Sequence, residues 1–313
     1  MKREKVGYFE MFGLVPFGKA VKEAGMTLFG KGKIPPSQFG LSSVKIFRPW
    51  ISIPLWLGIR RKDRMTLVYN FYNRETAPDS EPYSVKKTFA RDFMGGRCTY
   101  DGHIGTDFTA PVGTRIAAAA PGKVIGIARH FDHGGLKIYI DHGAGVVTMY
   151  EHLARTLVRE GDDVGRGRII AVSGASGIDM FTFAPWVAPH LHFNVVLNGR
   201  TIDPFAMEGE TSLWRGGNNP IPHHGPPDND FRATEWNEEL LDAAIADCDD
   251  PDRREHLKSI RNIERRAAEL IGDRISYKTL FKSFPPIYEQ KFPRAPLLDL
   301  PFCKEDYDGA VFP

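Results

Sequence analysis

Cysteine is scarce in this chain: there are three in 313 residues, Cys98, Cys248 and Cys303, far apart and with no CxxC pair. That spacing excludes a thiolate zinc ribbon and a thioredoxin-type redox pair. One disulfide with a thiol left over and three buried reduced thiols both fit the count. Long apolar runs are missing too. The longest, Pro49 to Ile59, contains Pro54 and would span only about 16 Å as a helix, too short for a bilayer. No transmembrane segment is expected. Trp50 and Trp56 stand beside Arg48, Arg60, Arg61 and Lys62, a composition compatible with membrane-surface contact, although packing against the domain is the favoured reading. The opening Met-Lys-Arg-Glu-Lys has the charge of a leader, but Pro16 and Lys19 interrupt the apolar stretch after it; a conventional signal peptide is not expected. Charge of one sign is lacking as well. Lys and Arg number 41 against 39 Asp and Glu, a net charge of +2, and no RNA- or DNA-binding fingerprint is present, which argues against a nucleic-acid partner. Finally there is no HExxH, so the glutamate base of thermolysin-type enzymes is missing.

What remains is an ordinary globular composition, 42% hydrophobic and 26% charged, enough for one large domain or two modest ones. Its texture changes twice. Residues 1–85 are basic, aromatic and punctuated by Gly and Pro; Met65 to Tyr72 reads as a strand and Thr76 to Pro82 as a loop. From 86 to 212 short strands alternate with turns: Arg115 to Ala120, Lys123 to Ala128, Leu136 to Asp141, Val146 to His152, Arg168 to Val172 and His190 to Leu197. That pattern is mainly β, without the long 3.6-residue periods a βαβ sheet requires. Residues 213–313 begin with a Gly/Pro-rich linker after Trp214, become helical from Glu235 to Ile271 as an expected hairpin broken at Asp250-Pro251, and end in a Pro-rich tail expected along the surface.

Three short pieces of the middle region carry chemistry: His103-Ile-Gly-Thr-Asp107, Tyr150-Glu-His152-Leu153 and His190-Leu-His192-Phe193. They supply four imidazoles and a carboxylate, the inventory of a zinc hydrolase with one coordination position left for water. His103, Asp107 and His192 would fill three positions. On a strand, residues two apart share a face, so His190 and His192 enter one site, one as ligand and one to handle protons. With no glutamate base, His152 and His190 are the candidates for accepting and returning the proton, and the sequence does not rank them.

The glycine framework around these pieces, His103 to Val124, Ile140-Asp-His-Gly-Ala-Gly, Glu160-Gly-Asp-Asp-Val-Gly-Arg-Gly and Asp203-Pro204, taken in order with them, resembles the lysostaphin/LytM-type zinc metallopeptidases. The resemblance covers the middle of the chain only. It implies a duplicated hybrid motif, a barrel-sandwich-like antiparallel β catalytic domain, here with an irregular N-terminal region and a helical C-terminal extension. It implies hydrolysis of peptide cross-links in bacterial peptidoglycan by metal-activated water, with Zn2+ on His103, Asp107 and His192 and with His152 and His190 catalytic. One departure stands out. Between Gly177 and Pro189 the chain carries Ile178-Asp-Met-Phe-Thr-Phe-Ala-Pro-Trp-Val-Ala, an aromatic insertion expected as a groove wall or lid.

Other histidines have plainer readings. His142 follows a strand and suits a structural or substrate-edge role; His130 and His133 lie in a hairpin loop and are expected in solvent, as are His223 and His224 in the linker and His256 on a helix surface. Tyr100 and Tyr150 are expected to pack rather than serve an oxyanion. Against the endopeptidase stand a non-catalytic cell-wall-binding or hydrolase-activating relative of the same fold and a barrel-sandwich carrier domain, the latter disfavoured because no hairpin-tip lysine is placed for it. A peptidoglycan substrate places the protein in the periplasm or outside the cell by an unassigned route. A secreted antibacterial effector with an inhibitor or immunity protein is one such arrangement.

Overall fold

The computed structural model describes residues 3–75, 84–88 and 90–313; the loop expected at Thr76 to Pro82 lies outside them. Three helices come first, α1 (Tyr8–Met11), α2 (Phe17–Phe29) and α3 (Pro49–Trp56), with a 3-10 turn at Leu41–Ile46. The strands are β1 (Met65–Asn70), β2 (Thr106–Thr109), β3 (Arg115–Ala117), β4 (Gly122–His130), β5 (Gly135–Asp141), β6 (Val146–Thr156), β7 (Asp163–Val164), β8 (Ile169–Ser173), β9 (His190–Leu197) and β10 (Arg200–Ile202). A short α4 (Ile178–Phe183) precedes β9; α5 (Glu238–Ala246), α6 (Pro251–Ser259), α7 (Ile263–Ser276) and β11 (Gly309–Val311) close the chain.

One sheet runs β11-β1-β2-β9-β6-β5-β4-β7, with β10 on β9 and β8 linking β3 to β6. Every pairing is antiparallel except β1 with β11. The protein is therefore mainly β. Alternation then gives the sheet two different faces. Leu191, Phe193 and Val195 of β9, with Leu136, Ile138 and Ile140 of β5, enter the main core. On the opposite face Tyr139, Val147, Met149 and Val196 meet α5–α7 in a second cluster, and α1–α4 gather around Tyr69 and Phe131 in a third. The functional site lies on this second face.

Three local outcomes depart from the sequence expectations. The tail is not laid along the surface: Leu298, Leu300 and Phe302 are buried in the main core, and Gly309–Val311 pairs with β1. Each such apolar side chain gains roughly 1.5–3 kcal/mol on burial, which outweighs the extended texture that proline imposes. The expected C-terminal hairpin is three helices, because Asn262 starts a new one: its side chain accepts from the Arg265 N–H and caps α7. Among the described residues of the N-terminal region, chain that reads as irregular holds three α-helices, one of them a single turn, whose sides face the third cluster.

Candidate metal centre and pocket

Strand register assembles the site. Asn70 of β1 pairs with Asp107 of β2, Asp107 with His192 of β9, and His192 with Glu151 of β6. Paired residues in neighbouring strands point to one face, so four polar side chains form a row across four strands. Lys137 of β5 extends it, with Nζ 3.2 Å from Glu151 Oε2. His190 shares the face by alternation, and His103 approaches from the turn before β2. His152 sits at an irregularity of β6 with φ 59°, a left-handed conformation that costs a non-glycine residue free energy and recurs at functional positions.

Hydrogen-bond partners decide which nitrogen of each ring carries the proton. Nδ1 of His103 lies 2.5 Å from the Phe71 carbonyl, that of His152 is 2.7 Å from the Ser176 carbonyl, and that of His190 is 2.7 Å from the Ala188 carbonyl. A carbonyl only accepts, so these three rings are protonated on Nδ1 and turn an Nε2 lone pair to the pocket. His192 is reversed. Asn194 gives its amide N–H to Glu151 at 2.8 Å, leaving its carbonyl to accept from His192 Nε2 at 3.2 Å. The Nδ1 lone pair of His192 therefore faces Asp107 Oδ1 at 2.7 Å. His103 Nε2 lies 3.0 Å from the same oxygen yet has no hydrogen-bond partner, as expected for one lone pair opposed to another.

Three acceptors thus converge on one point with no proton between them, and all are buried or nearly so. Such a set is unstable in a low-dielectric site unless a cation sits among its members, and imidazole nitrogen with carboxylate oxygen is a donor set that zinc accepts. The residues fit the metal. The other oxygen of Asp107 accepts from Asn70 Nδ2 at 2.7 Å, and Asn194 orients His192; metal ligands commonly need such outer partners. The side chains of His152, His190 and His192 form a second trio whose candidate donor atoms lie within 4.8 Å of one another, as do those of His103, Asp107 and His192. All five sequence-derived candidates are therefore in one place.

Burial alone would raise the Asp107 carboxyl; positive charge on the facing imidazoles, His103 and His190 foremost, outweighs it and holds the group well below the usual carboxylate range when those rings are protonated, an attraction that a cation would supply to the proton-free set. Burial likewise opposes ionisation of Glu151, and the Lys137 ammonium foremost overcomes it, holding the carboxyl at about 2. His190 moves the other way: burial pushes it down to about 4 against the pull of Asp107.

The row opens into a cavity of about 370 Å³. Leu28, Phe39 and Ile46 of the N-terminal region form one side, and Ile178, Met180 and Phe183 of α4 the other. Phe183 joins the two, its ring centroid 4.9 Å from that of Phe39. The insertion is therefore a wall, and a helical one; six residues are too few to show a helical period in sequence.

The remaining histidines divide. His133, expected in solvent, is half-buried and lines the cavity, and His130 is half-buried as well, because α7 and the residues following it cover their hairpin: both rings lie beside Tyr277. His142 is structural, 2.7 Å from the Pro121 carbonyl and 2.8 Å from Thr148 Oγ1. His223 is not a solvated loop residue, since it packs 3.3 Å from Asp299, whereas His224 and His256 are exposed. The Tyr150 hydroxyl is buried and accepts from the Ala119 N–H at 2.9 Å. Tyr100 lines the cavity 4.8 Å from the His103 ring, centroid to centroid. Sequence reasoning missed Asn70, Lys137, Glu151 and Asn194. Only Asn194 left a signal, standing two residues beyond His192 on one strand.

Residues 101–204 match the model of peptidase family M23. Among curated proteins, the chain is 38% identical over 111 residues to the peptidoglycan DD-endopeptidase ShyB of Vibrio cholerae, covering 36% of this chain and 24% of that one. It is 35% identical over 101 residues to ShyA of the same organism, covering 32% and 22%. The chain thus spans less than a quarter of the length of these relatives. Among solved structures, the catalytic domain of the antimicrobial peptidase lysostaphin from Staphylococcus simulans is 32% identical, with 33% of this chain and 77% of that chain covered and a TM-score of 0.30. With so low a TM-score, the assignment rests on sequence: the chain carries a peptidase family M23 domain at residues 101–204.

Proposed function

We propose that the protein is a zinc-dependent endopeptidase that hydrolyses peptide cross-links of bacterial peptidoglycan. The convergence of three proton-free acceptors, His103 Nε2, Asp107 Oδ1 and His192 Nδ1, carries this reading. These three atoms would hold the zinc. When bound, the ion supplies Lewis acidity, polarising a scissile carbonyl and making water a nucleophile near neutral pH. His152 and His190 stand together beside it with ring centroids 4.8 Å apart, each with Nε2 toward the cavity. One accepts the proton of the attacking water; the other steadies the developing oxyanion or protonates the leaving amine.

In this reading residues 86–212 form the catalytic domain, the described part of 1–85 supplies a wall of its pocket and Asn70 of its floor, and 213–313 brace the sheet on both faces, α5–α7 beside the site and the tail in the main core. The apolar walls select the peptide and the buried row fixes the ligands. The substrate places its action in the periplasm or outside the cell. Incubation with purified sacculi tests the proposal. Protein loaded with one zinc per chain releases muropeptides with new amine termini, and His152→Ala and His190→Ala keep the metal while losing release. Metal binding without release from the wild-type chain would make it a non-catalytic wall binder, and full turnover by both variants would refute the assigned roles.

A further inference from the structure

The layer that walls the pocket has an outer side unlike the rest of the molecule. Twenty large hydrophobic residues are exposed among the described residues, and 14 of them lie between Tyr8 and Ile59. Two more, Phe181 and Trp186, belong to or follow α4, which packs with α1–α3 in one cluster. On α2, Phe17, Val21 and Leu28 are 63%, 56% and 64% exposed. Their spacing of four and seven puts them on a single stripe, beside the buried Ala20 and Thr27. On α3, Trp56 is tied inward by its indole N–H to the Val187 carbonyl at 2.9 Å, while Trp50 is 73% and Leu57, just past the helix, 69% exposed. The two tryptophans that the sequence presents as a pair thus do opposite things.

Charge is distributed the same way. Residues 1–64 contain 13 Lys and Arg against four Asp and Glu, a surplus of nine in a chain whose net charge is +2. The remainder is therefore acidic by seven. Lys22, Lys31 and Lys62 are exposed in the same stretch of chain as these apolar side chains. Protein–protein interfaces are depleted in lysine at their centres. Lysine and arginine interleaved with exposed Trp, Phe and Leu are instead the composition of a surface that lies in a lipid headgroup layer.

We propose that the outer side of α1–α3 docks on an anionic phospholipid bilayer, with aromatic and aliphatic side chains in the headgroup boundary and the basic residues on lipid phosphates. Leu28 and Phe39 reach from this layer into the cavity wall, so docking would hold the pocket beside the membrane surface. This goes beyond the catalytic reading and does not depend on it.

Vesicle flotation of the full chain tests the proposal. The wild-type protein floats with phosphatidylcholine vesicles containing phosphatidylglycerol, floats weakly with phosphatidylcholine alone, and is released by high salt, which screens exposed charge. Trp50→Ser combined with Leu57→Ser, and separately Lys22→Glu combined with Lys62→Glu, each lower partitioning about tenfold or more at unchanged thermal midpoint. None of the four residues lines the cavity. Absence of flotation with anionic vesicles overturns the proposal, and so does equal partitioning of the folded variants. A stable self-complex of wild-type chains that ignores vesicles and is abolished by Trp50→Ser with Leu57→Ser would make the surface a protein interface, which also overturns it.

Discussion

The two sides of the pocket are built by different physics. The floor is a row of side chains fixed by strand register: Asn70, Asp107, His192 and Glu151 are placed by backbone ladders across four strands, and the central pair, Asp107 and His192, cannot shift without breaking ladders on both sides. The walls are short helices outside the sheet, α2 and α4 among them, held by apolar contacts such as Phe39 with Phe183 and Phe12 with Phe181. A ladder admits discrete registers, whereas an apolar contact adjusts continuously. Precise chemistry therefore belongs to the floor and adaptable recognition to the walls.

The comparison breaks most sharply at the metal ligands. Asp107→Ala or His192→Ala should abolish zinc binding and reduce peptide release to background, measured by metal analysis and muropeptide chromatography. Next comes the buried end of the row. Lys137→Met leaves the Glu151 carboxylate buried without its cation, and an unpaired buried charge costs about 3–5 kcal/mol. Denaturant unfolding should show that loss, and adding Glu151→Gln should recover part of it. A smaller effect is expected at Asn194→Ala, which frees the His192 ring without removing a ligand: zinc affinity should fall roughly 10–100-fold. Smallest is the wall. Phe183→Ala should raise KM for a peptide substrate several-fold while zinc content stays at one per chain. If Phe183→Ala disturbed metal binding as much as Asn194→Ala does, floor and wall would not be separable.

The sequence made the floor only half legible. His190 and His192 were readable because alternation along a strand is a local rule, and β9 matches its expected span of His190 to Leu197. Asp107 was readable as a residue, but its strand was not, since the four residues of β2 lie among turn formers and hold only through β1 and β9 on either side. Lys137 stands among Leu136, Ile138, Tyr139 and Ile140, and Glu151 follows Met149 and Tyr150; nothing local tells a solvated lysine from a buried one that has found its carboxylate. The walls were less legible. A six-residue α4 shows no period, and α2 presents much of its apolar surface outward, so its pattern does not announce a core-facing side. The tail was misread for a related reason: the burial of Leu298, Leu300 and Phe302 depends on a sheet formed some hundred residues earlier.

The central claim is that His103, Asp107 and His192, and not the neighbouring imidazole trio, form the metal centre. Anomalous diffraction at the zinc edge from crystals of the zinc-loaded protein tests it directly. The account predicts one peak at bonding distance, about 2.0–2.2 Å, from His103 Nε2, Asp107 Oδ1 and His192 Nδ1. A peak bonded to His152, His190 and His192 with His103 unligated would contradict it, as would the absence of any peak in this pocket.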